Sequence, residues 1–187
     1  MKLYLLRHCE RGHGENQDTL TELGKGQAEK MVSYLGTLKI DKIICAETNR
    51  AKETINPFLV KSGFKNVEFT SLVNEQEMGE LTGKLNSEYE KAREEAGLSK
   101  DEFKSKRGEN YFDLIERARL FLEKLKKEKL EDILVVTHAG FIRSIAILLL
   151  NLKREELNFN SASITSIELD EKFNILNYKL NSMSHLR

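Results

Sequence analysis

Leu3-Tyr4-Leu5-Leu6-Arg7-His8 decides how this chain is read. Four consecutive apolar residues describe a short strand buried on both faces, as in the middle of a parallel sheet. The strand runs straight into an arginine and a histidine, which a core does not accommodate. It therefore delivers a fixed cation and a titratable imidazole to the rim of a sheet. In open α/β sheets that rim, at the carboxyl ends of the strands, is where ligands bind. Ile133-Leu134-Val135-Val136-Thr137-His138 repeats the arrangement and continues into Ala139-Gly140-Phe141-Ile142-Arg143. One strand ending in histidine is ordinary; two mark a site.

Between these stretches strand and helix patterns alternate. Leu20, Leu23, Ala28, Met31, Val32, Leu35 and Leu38 fall at helical spacing, with Thr21 as N-cap, Glu22 in the first turn and Gly36 near the end. Lys42-Ile43-Ile44-Cys45 is a second strand. The helix from about Thr48 carries Arg50 in its first turn, and Pro57 is expected to end or kink it. Val67-Glu68-Phe69-Thr70 alternates like a strand or an edge element. From Asn86 to Arg107 Glu and Lys dominate, with Tyr89, Ala92, Ala96, Leu98 and Phe103 as sparse anchors. That reads as a solvated helical excursion, a cap-like insertion at about 80–112 placed to cover the site.

A helix resumes at Asn110 with Leu114, Ile115, Ala118, Phe121, Leu122 and Leu125 on one face, and the helix after His138 is apolar nearly all round, hence buried. Ser163–Leu169 and Phe173–Leu180 read as a closing hairpin across Asp170-Glu171. The expected fold is α/β, three layers with a mostly parallel central sheet, in a single domain over residues 1–187.

Composition narrows the function classes. Thirty Lys and Arg balance thirty Asp and Glu, so neither a general nucleic-acid surface nor an anionic-membrane surface is expected. The longest apolar run, Ile145 to Leu150, is too short to span a bilayer. Met1-Lys2 leads directly into the first strand with no small-residue cleavage site, so no signal peptide is expected. Two cysteines, Cys9 and Cys45, are too few for a disulfide framework, and the expected location is cytoplasmic. A homodimer is compatible with the chain.

The chain resembles the histidine phosphatase superfamily, the phosphoglycerate-mutase-like phosphatases. Leu6-Arg7-His8-Cys9-Glu10 is similar to the family signature, usually Arg-His-Gly. Leu20-Thr21-Glu22-Leu23-Gly24 with Gln27-Ala28 resembles the motif opening its first helix, and Asn49-Arg50-Ala51-Lys52-Glu53-Thr54 its second-arginine motif. Leu72 to Gly83, with Glu75, resembles the segment of the acid/base glutamate. Gly108-Glu109-Asn110 stands where Gly-Glu-Ser is usual, Val136 to Arg143 resembles the second-histidine motif, and Asn160 to Leu169 the closing strand. The motifs span almost the whole chain in the family's order.

The resemblance implies a metal-independent phosphatase of small phosphorylated metabolites with no cofactor, and as alternative a 2,3-bisphosphoglycerate-dependent phosphoglycerate mutase. Family mutases carry extra insertions and a longer C-terminal tail, so the phosphatase is favoured.

The chemistry fits those residues. A neutral imidazole can attack phosphorus and hold the phosphoryl group as phosphohistidine, splitting one hard step into two; His8 takes that role. Arg7 and Arg50 supply planar donor forks for the phosphoryl oxygens, His138 a further donor, and the helix beginning at Ala139 free backbone N–H groups. Glu75 protonates the leaving alkoxide and then activates water; it is preferred over Glu77 and Glu80 on motif register alone. Glu10, Arg11 and Asn16 line the pocket or solvate its loop.

Three departures stand out. Cys9 replaces the usual glycine, which is either inert filler or a thiol acidified by Arg7 and Arg50 and open to oxidation. The loop from Glu10 to Leu20 is shorter than in mutases and lacks the family's asparagine in register, Asn16 being only nearby. Ala46 stands where a serine is common. A metal site from His8, Cys9, His13 and His138 matches no strong zinc spacing, and Gly12-His13-Gly14 lacks the third glycine of a dinucleotide loop.

Overall fold

The computed structural model describes residues 1–128 and 130–186, with the side chains of Glu15 and Asn86 outside the description. Its strands are β1 (Lys2–Arg7), β2 (Lys42–Cys45), β3 (Val67–Phe69), β4 (Asp132–Thr137), β5 (Ile164–Leu169) and β6 (Ile175–Ser182). They form one six-stranded sheet in the order β3-β2-β4-β1-β5-β6. The first four strands of that order run parallel; β5 and β6 are antiparallel to their neighbours.

The apolar runs explain the order. Leu3, Leu5 and Leu6 of β1 and Ile133 to Val136 of β4 are fully buried, as only central strands covered on both faces can be. The helices are α1 (Glu22–Leu35), α2 (Asn49–Ser62), α3 (Asn86–Glu95), α4 (Tyr111–Lys127) and α5 (Ala139–Leu150). The chain steps one way across the sheet from β1 to β3 and back again from β3 to β5. Right-handed crossovers then put α1 and α2 on one face and α4 on the other, where α5 lies beside it. Each pair packs together.

Most local expectations hold. Thr21 caps α1, its hydroxyl accepting from the Gly24 N–H at 3.0 Å. Ala28, Met31, Val32 and Leu35 face the core, but Leu23 is 59% exposed. Gly24 takes the buried place instead, because a Cβ there would lie 2.0 Å from the Glu10 carbonyl oxygen. Pro57 does not end α2, which continues to Ser62. A proline inside a helix removes one hydrogen bond and crowds the preceding turn, together costing about 3 kcal/mol. Burial of Ile55 and Phe58 by the same helix, at roughly 1.5–3 kcal/mol each, outweighs it.

The excursion differs more. Only Asn86–Glu95 is helical, and Leu98 to Asn110 is turns and irregular chain. With so few apolar anchors there is no buried face to sustain a longer helix. α4 is a new helix, begun by a reciprocal Asn110–Asp113 capping pair. The closing strand also starts later than expected, at Ile175. Phe173 belongs to a turn in which the Asp170 carboxylate accepts from the Lys172 and Asn174 N–H groups, each at 2.8 Å. Among the described residues no helix is long and apolar enough to cross a membrane.

Phe121 of α4 is fully buried and meets the Phe141 ring of α5 edge-on, centroids 5.5 Å apart. Phe121→Ala is expected to lower unfolding free energy by about 3–5 kcal/mol in urea titration. Val60→Ala, at a position 76% exposed, should stay within about 0.5 kcal/mol of wild type.

Candidate active site

The sheet places the pocket. β1 leads to a helix on one face and β4 to a helix on the other, so a crevice opens between their adjacent carboxyl ends. Arg7 pairs with Thr137 in the parallel register, and the His8 N–H donates to the Thr137 carbonyl at 2.9 Å. The residues leaving the two strands therefore stand side by side. The His8 and His138 rings lie 5.1 Å apart, centroid to centroid, and both residues are buried. Arg50 comes from the first turn of α2, and Glu75 from the irregular chain after β3.

Hydrogen bonds settle the tautomers. His8 Nδ1 is 2.7 Å from the Cys9 carbonyl oxygen, so it carries the proton and leaves Nε2 with a free lone pair. Burial pushes the His8 pKa down to about 3, helped by the nearby Arg50, Arg7 and Arg11 charges and opposed by the Cys9 hydrogen bond. Arg50 Nη2, always a donor, faces His138 Nδ1 at 3.3 Å, so the His138 proton sits on Nε2 and donates to Thr48 Oγ1 at 3.2 Å. Burial, then the charge of Arg50, holds His138 neutral as well, well below the usual imidazole range.

Both arginines are half-anchored. Arg7 Nη1 donates to the Phe159 carbonyl at 2.5 Å, and Arg50 Nη1 to Asp18 Oδ1 at 2.7 Å. The Nε–H of each is buried without an acceptor among the described residues. Buried polar groups in folded proteins are nearly always paired. Two orphaned guanidinium donors beside two neutral imidazoles form a socket for an anion with several acceptor oxygens.

Glu75 closes the socket from above. Its Oε2 accepts from the Gly140 N–H at 3.2 Å at the start of α5, and its Oε1 from the Gln76 N–H at 3.1 Å. A Cβ on Gly140 would sit 2.1 Å from Glu75 Oε1, so a side chain there would displace the carboxylate. Ala139 opens the same helix, and its backbone N–H is among those with no intrahelical acceptor. Beyond the socket a cleft of about 350 Å³ is lined by Arg11, Gln17, Asp18, Glu75, Gln76 and Met78, among others.

The chain belongs to the histidine phosphatase superfamily. Residues 3–180 match its branch 1. A Schizosaccharomyces pombe protein with a phosphatase name is 34% identical over 90 residues, 44% of this chain and 43% of that one. The chain thus aligns with under half of that relative's length. A Hydrogenobacter thermophilus protein carrying the name phosphoserine phosphatase 2 is 27% identical over 202 aligned positions, covering 100% of this chain and 98% of its own. The mycobacterial glucosyl-3-phosphoglycerate phosphatase solved with inorganic phosphate shares the fold, with TM-score 0.77, 23% identity and 98% coverage of both chains.

Of the residues singled out from the sequence, Arg7, His8, Arg50, Glu75, His138 and Ala139 converge here in this histidine phosphatase superfamily member. Glu10 and Asn16 do not line the cleft. The Glu10 carboxylate accepts from the Thr21 hydroxyl at 2.9 Å and so braces the start of α1, while Asn16 is exposed on its loop. Asp18 and Thr48 were not foreseen, because neither stands in a motif. The reactive-thiol reading of Cys9 fails too. Cys9 is fully buried, its N–H donates to Thr54 Oγ1 at 2.9 Å, and burial pushes its thiol up to about 12. Its backbone φ is not positive, so no glycine is required. Burial likewise pushes Cys45 up to about 12. Among the described residues no group of three or more His, Cys, Asp or Glu is arranged to hold a metal ion.

Two outcomes follow from burial. Iodoacetamide should leave both thiols unmodified in the folded protein and alkylate both in urea, as read by intact mass. The unfolded chain protonates its imidazoles as pH falls through about 6.5, whereas folded His8 stays neutral to about 3. Stability should therefore fall on acidification through that window, by up to about 1.4 kcal/mol per pH unit for this residue. His8→Asn should flatten the slope of unfolding free energy against pH.

Proposed function

We propose that this protein is a metal-independent phosphomonoesterase that hydrolyses small phosphorylated metabolites through a phosphohistidine on His8. The observation that carries the reading is the state of His8: neutral, its Nδ1 proton held by the Cys9 carbonyl, and its Nε2 lone pair free. Such a nitrogen attacks phosphorus, forming the P–N bond as the ester P–O bond breaks. Arg7 and Arg50 take the oxygen charge, with their buried Nε–H groups as the donors in want of an acceptor. His138, its Nε2–H turned from Thr48 Oγ1 to an incoming oxygen, and the backbone N–H at Ala139 complete the ring of donors.

The substrate monoanion brings the proton, which Glu75 takes and gives to the departing oxygen. The carboxylate then takes one from the water that cleaves the P–N bond and passes it to the leaving phosphate, so that His8 and the Glu75 carboxylate return to their starting states. Residues 80–112 act as the cap that meets the leaving group, in a chain that works as a single domain. Two unpaired thiols suit a cytoplasmic setting.

The test is a panel of phosphorylated metabolites with release of inorganic phosphate as readout. His8→Ala is expected to fall to background, and Arg7→Ala and Arg50→Ala to lose about 10²- to 10³-fold in kcat/KM. Acid-labile, base-stable phosphate should appear on wild type quenched during turnover, and chelators should leave the rate unchanged. Phosphate release by His8→Ala at the wild-type rate would overturn the reading, as would isomerisation of 3-phosphoglycerate faster than its hydrolysis.

A further inference from the structure

Arg117 lies on α4, outside the socket, yet its guanidinium is the most heavily used in the molecule. Nε donates to Glu109 Oε1 at 2.8 Å and Nη2 to Glu109 Oε2 at 2.7 Å, a two-pronged ion pair. The remaining N–H groups point at the chain that carries Glu75. Nη1 reaches the carbonyls of Leu72 at 3.0 Å and Asn74 at 2.8 Å, with Ser71 more distant at 3.4 Å, and Nη2 reaches that of Glu75 at 3.0 Å.

Glu109 in turn holds the next residues. Its Oε2 accepts from the Glu77 N–H at 3.1 Å, its carbonyl from the Gln76 side-chain amide at 2.9 Å, and its N–H donates to the Glu77 carbonyl at 2.7 Å. The guanidinium also lies 5.7 Å from the ring centre of Phe141, on the helix whose N-terminus receives the Glu75 carboxylate. Side-chain exposure is only 15% for Arg117 and 18% for Glu109, so the pair is shielded from solvent. Burial alone would raise the Glu109 carboxyl, but Arg117 and the Glu77 N–H hold it below its ordinary range.

Glu75 is the one proposed catalytic group with no helix or strand beneath it. A proton-transferring carboxylate must be held to fractions of an ångström, and a 1 Å misplacement costs about 10²-fold. We propose that Arg117, locked by Glu109, is the positioning residue for Glu75: a side-chain fork that replaces the missing secondary structure under the acid/base group. The inference rests on the phosphatase reading above. It also assigns Glu109 its function: to keep the fork aimed at the carbonyls of residues 72–75.

A general acid matters in proportion to the basicity of the leaving oxygen. kcat/KM covers the steps through departure of the alcohol. Glycerol 3-phosphate, with an alkoxide leaving group, needs the proton; p-nitrophenyl phosphate does not. Arg117→Lys, which keeps the charge and loses the fork, is expected to lower kcat/KM for glycerol 3-phosphate by about 30- to 100-fold and for p-nitrophenyl phosphate by less than about 3-fold. Glu109→Gln should give the same pattern more weakly and serves where Arg117→Lys does not fold. In a Glu75→Gln background, Arg117→Lys should add little further loss, as two changes to one function do.

Glu75→Gln alone is the control. If it fails to spare p-nitrophenyl phosphate, the role of Glu75 itself falls. If it does spare it, while the Arg117 and Glu109 variants lower both substrates equally or neither, the positioning role is wrong and the pair only stabilises the fold.

Discussion

The in-register parallel pairing of β1 with β4 is the constraint on which this molecule depends. Neighbouring strands lie about 4.8 Å apart, so residues that leave them at matching positions start as neighbours. Arg7 opposite Thr137 makes His8 and His138 neighbours in this way, before any side-chain contact is considered. A slip of one residue would send every β1 side chain to the other face. The apolar run is buried on both faces, so what resists the slip is its polar end, since Arg7 would be drawn into the core. The apolar runs that make the core also set the spacing of the imidazoles.

What the register brings together is electrostatically unfavourable. Burial first, and then the charges of Arg50 and Arg7, keep both imidazoles neutral. Asp18 relieves Arg50, and the Glu75 charge supports protonation of Arg7, though burial still lowers both arginines. The balance stops short of full pairing, since each guanidinium keeps a buried N–H without an acceptor. An anion with several acceptor oxygens would supply what both N–H groups lack, and a ligand that binds only the folded chain stabilises it.

The strand-borne half of the site was readable from residue order alone. An apolar run ending in Arg-His or Thr-His is a local pattern, and the Thr21 cap of α1 is another. What escaped was set by tertiary contact. Pro57 sits inside a helix because the opposite face is buried, which no local rule reports. For Cys9 the sequence left inert filler and acidified thiol both open, and complete burial decides for the first. Glu10 stands two residues after His8, yet the close approach of α1 at Gly24 turns it away from the cleft. Arg117 stands in no motif that the sequence displays. Its partners lie between eight and 46 positions away, and only the fold brings them together.

The two halves of the site are thus held by different means, and this bears on how its specificity can change. His8, His138 and Arg50 are fixed by strand ends and a helix start, and Glu75 by a fork to backbone carbonyls. The excursion that follows leaves and rejoins the body at one neck. The Glu109 N–H donates to the Glu77 carbonyl at 2.7 Å and the Glu80 N–H to the Lys106 carbonyl at 3.1 Å. Residues between 81 and 105 therefore form a closed loop beyond the clamp, and loop length costs little entropy once its ends are tied. Their sequence can vary without moving the chain that the Arg117 fork holds.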